Sequence, residues 1–194
     1  MLALAVAVSA GCVRASKTTA SGAPALSAES RMELAERVSA GWAESPRLAA
    51  KLMIDRYGVP DEVGSSRMIW HASGPWKRTV VRDLPRLYSG SRDADLGVIE
   101  QTVAYDLSPG DVERLVPFSR RLSFDPARME MSSRADREEV NFLRLNLADD
   151  VLQGRIGVPE AKETFDRVLS LDAAGKTTRY LQGLSFGPGR AKTP

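Results

Sequence analysis

The chain has 194 residues, of which 43% are hydrophobic and 27% charged, and its formal net charge is +2. This composition is typical of a globular domain, and the near balance of charges gives no strong attraction to nucleic acid. One cysteine and one histidine exclude an internal disulfide framework and argue against a zinc site. We therefore expect no metal and no cofactor.

The N-terminal segment resembles an export signal. Residues 2–10 form an apolar run, and Ser9, Ala10 and Gly11 precede the only cysteine, Cys12. An apolar core of about 7–15 residues followed by small residues is typical of a secretory signal, and a membrane span needs about 20 apolar residues. Small residues before a cysteine also resemble the lipobox of bacterial lipoproteins, which implies lipid attachment at Cys12. The alternative is an ordinary signal that is removed together with Cys12.

Composition divides the chain into four parts. Residues 1–12 are the predicted signal segment, and residues 13–28 are small and polar, which is typical of a flexible tether. Residues 29–186 are predicted to form a single α+β domain, and residues 187–194 a disordered tail. We expect an exported protein that is anchored to a membrane and faces the periplasm, or one that is secreted if Cys12 is not lipidated.

Apolar spacing and capping residues predict the helices. The first predicted helix begins at Ser30, where Glu33 completes a capping box, and the second runs from Ser45-Pro46 to Gly58. A short helix follows Ser108-Pro109. A long helix covers residues 136–153, and the last helix begins at Pro159.

Residues rich in β-formers, separated by turn residues, predict the strands. The predicted strands are a hairpin of residues 67–71 and 77–82, a long strand within residues 97–107, and a second hairpin of residues 122–124 and 129–132. The fold class is therefore α+β, with an antiparallel sheet of about five strands and helices mainly on one face.

The helix over residues 136–153 has a wide apolar stripe and should lie buried across the sheet. Its expected partners on the sheet are Ile69, Val80, Ile99, Val103 and Phe124. Asn146 lies close to the stripe, and we expect its amide to bind a strand-end carbonyl or an arginine. Asp149 and Asp150 are adjacent, which is typical of a solvated helix face.

The first hairpin carries the only constellation with possible chemistry. Trp70, His71, Trp76 and Arg78 surround its turn, and Glu100 on the long strand is the carboxylate that could join them. These residues could border a pocket for a small anionic ligand. The structural interpretation is a twisted hairpin whose tryptophans cover the core while its charged residues face water.

Catalytic motifs are otherwise missing from the sequence. It contains no Walker or G-x-G-x-x-G motif, and its G-x-S-x-G pattern at residues 183–187 has neither the preceding strand nor the following helix that a nucleophile elbow requires. The sequence therefore predicts a binding or structural module at the cell envelope rather than an enzyme. The alternative is a small-ligand receptor or a hydrolase-like enzyme with its pocket at the Trp70, His71 and Trp76 hairpin.

Two resemblances agree with export. The segments IWHASGPWKR and NFLRLNLADD are similar to an uncharacterised family of bacterial exported proteins, which implies no particular activity. The segment Gly58-Val59-Pro60, followed by Met68-Ile69-Trp70, resembles a part of SmpA/OmlA-type outer-membrane lipoproteins. This resemblance implies a lipidated cysteine, a tether and a β-hairpin. By the same resemblance, Val13 after the cysteine favours the outer membrane. The implied partners are the membrane, through a lipid anchor, and an envelope protein or a small molecule, but no nucleic acid.

Overall fold

The computed structural model describes residues 26–83 and 97–187. The helices in these ranges are α1 (Ala28–Ser39), α2 (Glu44–Tyr57), α3 (Pro109–Leu115), α4 (Glu138–Leu152) and α5 (Val158–Ala173). The strands are β1 (Glu62–Gly64), β2 (Arg67–Ser73), β3 (Trp76–Arg82), β4 (Ile99–Ala104), β5 (Leu122–Asp125) and β6 (Glu130–Ala135). The predicted signal with Cys12, most of the predicted tether and residues 188–194 of the predicted tail lie outside these ranges.

The described strands form one antiparallel sheet in the order β1-β2-β3-β4-β6-β5. The predicted α+β class is therefore confirmed, as are both hairpins and the long strand between them. The sheet has six strands rather than about five, because β1 pairs with the start of β2 through Glu62 opposite Ile69. This three-residue strand is too short to show an alternating sequence pattern.

Strand register assigns side chains to two faces, because successive residues of a strand point to opposite sides. One face, which we call the helix-covered face, packs against α2 and α4. A row of paired residues on it runs through Trp70, Thr79, Gln101 and Ser133. No helix of residues 26–83 and 97–187 packs on the opposite, helix-free face, whose neighbouring row runs through His71, Arg78, Thr102 and Ser132.

Helix α4 is the centre of the larger core. Every residue from Asn141 to Leu152 is buried, and the side chains pack between the sheet, α3 and α5. The wide apolar stripe predicted this position correctly. Its partners include Val103, Met131 and Leu122 on the helix-covered face.

The expected sheet partners of α4 were wrong in two cases. Ile69 and Val80 pair with each other and lie on the helix-free face, whereas Ile99 and Val103 lie on the helix-covered face. The error arises because Met68, Ile69 and Trp70 are consecutive apolar residues, as are Val80 and Val81. Such runs do not reveal which alternate set faces the core.

The first two helices begin earlier than predicted. Ser27, rather than Ser30, caps α1 by accepting a hydrogen bond from the Ser30 amide, so α1 starts inside the predicted tether. Helix α2 begins at Glu44 without a side-chain cap, and Pro46 lies in its first turn, where its missing N–H is not needed. Gly58 ends α2 with a positive φ of 79°, as predicted.

The prediction for the Asn146 side chain on α4 was wrong about its partner. Asn146 binds the C-terminal segment rather than a strand end or an arginine: its Nδ2 donates to the carbonyls of Tyr180 and Gly183, and its Oδ1 accepts from Ser185. Asn146 therefore fastens the segment after α5 to the core.

Asp149 is fully buried rather than solvated. It accepts a hydrogen bond from the Tyr105 hydroxyl at 2.7 Å and forms an ion pair with Arg155. Asp150 also pairs with Arg155 and accepts from the Tyr180 hydroxyl at 2.8 Å. Burial alone would lower the pKa of Arg155. The hydrogen bonds to Asp149 and Asp150 and the charges of these carboxylates outweigh burial, so the pKa lies above its ordinary value.

A candidate anion-binding groove at the sheet edge

The sheet separates the residues of the predicted hairpin site. Trp70 and Trp76 are buried on the helix-covered side, where they are 1% exposed. His71, Arg78 and Glu100 lie on the helix-free face. The Nε2 atom of His71 is 2.7 Å from Oε1 of the exposed Glu62, so its partner is a neighbour on the sheet surface rather than a group near the tryptophans.

Both tryptophans have structural partners. The Trp70 indole donates to the Gly58 carbonyl at the end of α2. The Trp76 ring stacks on Phe142 with 4.8 Å between ring centroids, and its Nε1 donates to Oε1 of Glu138 at 2.5 Å. These contacts correspond to the structural interpretation of the hairpin.

Glu138 is a buried carboxylate at the first residue of α4. Its Oε1 also accepts from the Tyr57 hydroxyl at 2.5 Å and from Nε2 of Gln101 at 2.7 Å. Arg56, half exposed on α2, forms an ion pair with Glu138. This cluster joins α2, β3, β4 and α4, and burial raises the pKa of the Tyr57 hydroxyl within it.

On the helix-free face, each of two carboxylates has two cationic neighbours. Glu100 pairs with Arg82 at 3.1 Å and with Arg134 at 2.6 Å. Burial would raise the pKa of Glu100, but the hydrogen bonds and charges of Arg134 and Arg82 more than offset it, so the pKa lies below its ordinary value. The carboxylate therefore stays charged and holds Arg134 in place.

Glu130 repeats this arrangement at the other end of the face. It pairs with Lys77 and Arg78, each at 3.0 Å. Burial again opposes ionisation, and the two cations again lower the pKa below its ordinary value. Since each carboxylate faces two cations, both triads carry an excess of positive charge.

A basic cavity lies where this face meets the end of the sheet. It has a volume of about 300 Å³ and is lined by Arg120, Arg121, Leu122, Ser123 and Arg134. Ser123 and Arg134 belong to the helix-free face by register. Three guanidinium groups therefore surround one opening beside β5.

A second cavity lies on the helix-covered side of the same strand end. It has a volume of about 320 Å³, and Arg121 lines it as well as the first cavity. The remaining lining residues are Phe118, Ser119, Arg144, Lys162, Phe165 and Asp166. We refer to the two adjoining cavities together as the basic groove.

Arg144 is the buried cation of the basic groove. It is 6% exposed, and its Nη1 donates to the Ser133 hydroxyl and to the Arg134 carbonyl, each at 2.9 Å. Its guanidinium carbon lies 5.1 Å from the centroid of the Phe165 ring. These contacts fix the guanidinium at the wall of the cavity before any ligand arrives.

The charges of the groove are strongly asymmetric. Its lining includes five basic side chains, Arg120, Arg121, Arg134, Arg144 and Lys162, and one acidic side chain, Asp166. Within the described part of the chain, neither Arg120 nor Lys162 forms an ion pair. Guanidinium groups bind carboxylates and phosphates through paired N–H donors, so the groove is suited to an anionic group.

Sequence reasoning did not identify this groove. Its cations come from the segment before β5, from β6, from α4 and from α5. The adjacent pair Arg120-Arg121 is a weak signal, and Arg144 within the apolar stripe of α4 is a stronger one, because a charged residue at a buried position needs a specific partner or role. Neither signal shows which other cations converge there.

No group of three His, Cys, Asp or Glu residues within residues 26–83 and 97–187 is arranged to hold a metal ion. In the same ranges, no helix combines the length and the apolar character needed to cross a membrane. Comparison of the chain with protein-family models, with curated proteins and with solved structures found no match, so the groove is interpreted from its own residues.

Proposed function

We propose that this protein is an exported binding module that is held at the cell envelope by a lipid on Cys12 and binds an anionic ligand in the basic groove. The observation that carries the binding proposal is the convergence of five cations on two adjoining cavities. No catalytic step is part of the proposal.

The groove has two properties of a prepared binding site. Its buried cation, Arg144, is fixed by two hydrogen bonds and by the Phe165 ring, which reduces the entropy lost on binding. Its exposed cations, Arg120 and Lys162, are available to a ligand because no described carboxylate pairs with them. An anion in the groove would therefore meet both a rigid and an adaptable group.

The ligand chemistry is that of a carboxylate or a phosphate. Cavities of about 300 Å³ are at the lower end of the range for small-molecule sites, and the two cavities have similar volumes. Phe118 and Phe165 add apolar surface to the helix-covered side. The best ligand should therefore combine negative charge with an apolar or aromatic part.

Isothermal titration calorimetry with inorganic pyrophosphate tests the binding proposal. The double variant Arg120→Ala/Lys162→Ala removes the exposed cations and should weaken binding at least tenfold. The matched control is Arg47→Ala, which removes an exposed arginine on α2 outside the groove and should leave binding unchanged. Absence of binding to the wild type, or equal weakening by the control, would refute the proposal.

The anchoring proposal is independent of the groove. Its support is the apolar run that ends in small residues and Cys12, since lipidation of bacterial lipoproteins would anchor the chain firmly. We expect the wild type in the membrane fraction, with the outer membrane favoured, and Cys12→Ser in the soluble periplasmic fraction or unprocessed. Equal solubility of the two proteins would refute lipid anchoring.

A further inference from the structure

Strand β5 is an edge of the sheet. It pairs with β6 on one side, and no strand of the described residues pairs with its other side. An unpaired edge presents backbone donors and acceptors that can bind another extended chain. The edge lies beside the basic groove, because residues 120–123 line one of its cavities.

The backbone directions of β5 follow from its pairing with β6. The Arg121 carbonyl accepts a hydrogen bond from the Arg134 amide, so residues 121, 123 and 125 direct their backbone groups towards β6. Leu122 and Phe124 therefore direct theirs away from it. The Leu122 amide donates to the Ser119 carbonyl at 3.3 Å, which leaves the Leu122 carbonyl and both backbone groups of Phe124 facing the outer side.

The two cavities of the groove lie on opposite sides of this edge. The cavity with Ser123 and Arg134 opens on the helix-free side, and the cavity with Arg144 and Phe165 opens on the helix-covered side. An added strand would direct its successive side chains alternately to these two sides. One extended segment could therefore occupy both cavities, whereas a compact anion would occupy one.

We infer that the basic groove receives an extended acidic segment of a partner protein, which adds to the outer side of β5 as a further strand. This inference rests on the proposed anion-binding function and names its ligand. Backbone hydrogen bonds to Leu122 and Phe124 supply affinity, and the two cavities select side chains, as in other cases of strand addition.

The cavities define the composition of the segment. Its side chains on the helix-free side are acidic, because they meet Arg120, Arg121 and Arg134. Its side chains on the helix-covered side are polar or aromatic, because that cavity offers Phe118 and Phe165 beside its cations. A segment in which glutamate alternates with tyrosine or threonine meets both requirements.

The test uses the full chain and a peptide, acetyl-Glu-Tyr-Glu-Thr-Glu-Tyr-Glu-amide. Binding is measured by calorimetry, and exchange of the Phe124 amide with deuterium is measured by NMR. We expect the peptide to bind and to slow exchange at Phe124. The same peptide with every internal amide N-methylated keeps its charges but cannot pair as a strand, and should bind at least tenfold more weakly.

The outcomes separate this inference from the proposed function. Equal affinity of the two peptides, or an unchanged exchange rate at Phe124, would refute strand addition while pyrophosphate binding could still stand. If Arg120→Ala/Lys162→Ala changes the affinity of neither pyrophosphate nor the peptide, both proposals fail. Tighter binding of a 12-mer oligodeoxythymidylate than of the peptide would replace a protein partner with a nucleic acid and overturn the inference.

Discussion

The guanidinium of Arg144 packs over the ring of Phe165, with 5.1 Å between the guanidinium carbon and the ring centroid. This contact joins the middle of α4 to α5 and places a positive charge inside the helix layer. The Ser133 hydroxyl and the Arg134 carbonyl accept its hydrogen bonds. The same side chain therefore links the two helices to β6 and forms one wall of the basic groove.

Replacement of Arg144 should affect both stability and binding. Arg144→Met keeps an unbranched apolar stem but leaves the Arg134 carbonyl without this donor, which should cost about 1–3 kcal/mol of unfolding free energy. It should also weaken pyrophosphate binding. Urea denaturation and calorimetry measure the two effects.

The control for Arg144 is Phe165→Leu, which removes the ring but keeps the charge. It should cost about 0.5–2 kcal/mol and weaken pyrophosphate binding less than Arg144→Met does. Unchanged binding by Arg144→Met would show that the buried guanidinium is structural only.

Loss of the Glu138 carboxylate should be strongly destabilising. Glu138→Gln leaves Arg56 without its buried partner and disturbs the hydrogen bonds from Tyr57, Trp76 and Gln101. Since Arg56 is half exposed, water can solvate the cation that loses its partner, and the loss comes mainly from the disturbed buried hydrogen bonds. We expect it to be about 1–3 kcal/mol, and chemical denaturation measures it.

The neighbouring residue provides a matched control for Glu138. Glu139 is partly exposed, and its Oε1 lies 3.6 Å from Nη2 of the same arginine, Arg56. Glu139→Gln should change the unfolding free energy by less than about 1 kcal/mol, because exposed ion pairs contribute little. Similar losses in the two variants would contradict a central role for the Glu138 cluster.

The core role of α4 is tested at Leu147, which is fully buried. Leu147→Ala should cost about 2–5 kcal/mol, because it removes buried methyl groups and leaves a cavity. Leu48→Ala, at a position that is 53% exposed on α2, should change stability by less than about 0.5 kcal/mol. A loss below about 0.5 kcal/mol for Leu147→Ala in urea denaturation would mean that α4 is peripheral.

The sequence identified α4 and the hairpins because their patterns are local. The apolar stripe of α4 repeats at helical spacing, and turn residues separate the strands of each hairpin. Asp149 shows where such patterns stop being informative. Two adjacent aspartates are typical of a solvated face, but Tyr105, just after β4, and Arg155, just after α4, bind Asp149 and make its burial possible.

The basic groove could not be predicted for the same physical reason. Arg121, Arg134, Arg144 and Lys162 become neighbours only because β5 pairs with β6 at the sheet edge and α5 packs on α4. The predicted site at the hairpin grouped Trp76 with Arg78, which are close in sequence. It also grouped Trp70 with His71, which are adjacent in β2, and strand alternation directs these two side chains to opposite faces.

Acid should weaken the fold through Glu100 and Glu130. Their pKa values in the folded protein lie below the ordinary glutamate value. At a pH between the lowered pKa of the folded protein and the ordinary pKa of the unfolded chain, the unfolded chain therefore binds more protons than the folded chain. Stability from these groups is therefore fully present above the ordinary pKa, about 4.3, and is lost as the pH falls through the lowered folded values.

Glu100→Gln isolates the contribution of one triad. We expect the variant to be less stable than the wild type at pH 6 and the difference to shrink as the pH falls below about 4.3. Urea denaturation at a series of pH values measures this. A difference that stays constant down to pH 3 would contradict the role assigned to Arg82 and Arg134.

The most direct test of the anion-binding groove is the location of a bound anion. Backbone amide shifts of ¹⁵N-labelled protein are followed by NMR during titration with pyrophosphate at low salt, where electrostatic binding is strongest. We predict saturable shifts confined to residues 118–123, 134, 144 and 162–166. Shifts centred instead on the His71 hairpin, or no saturable shift at any residue, would contradict the proposed function.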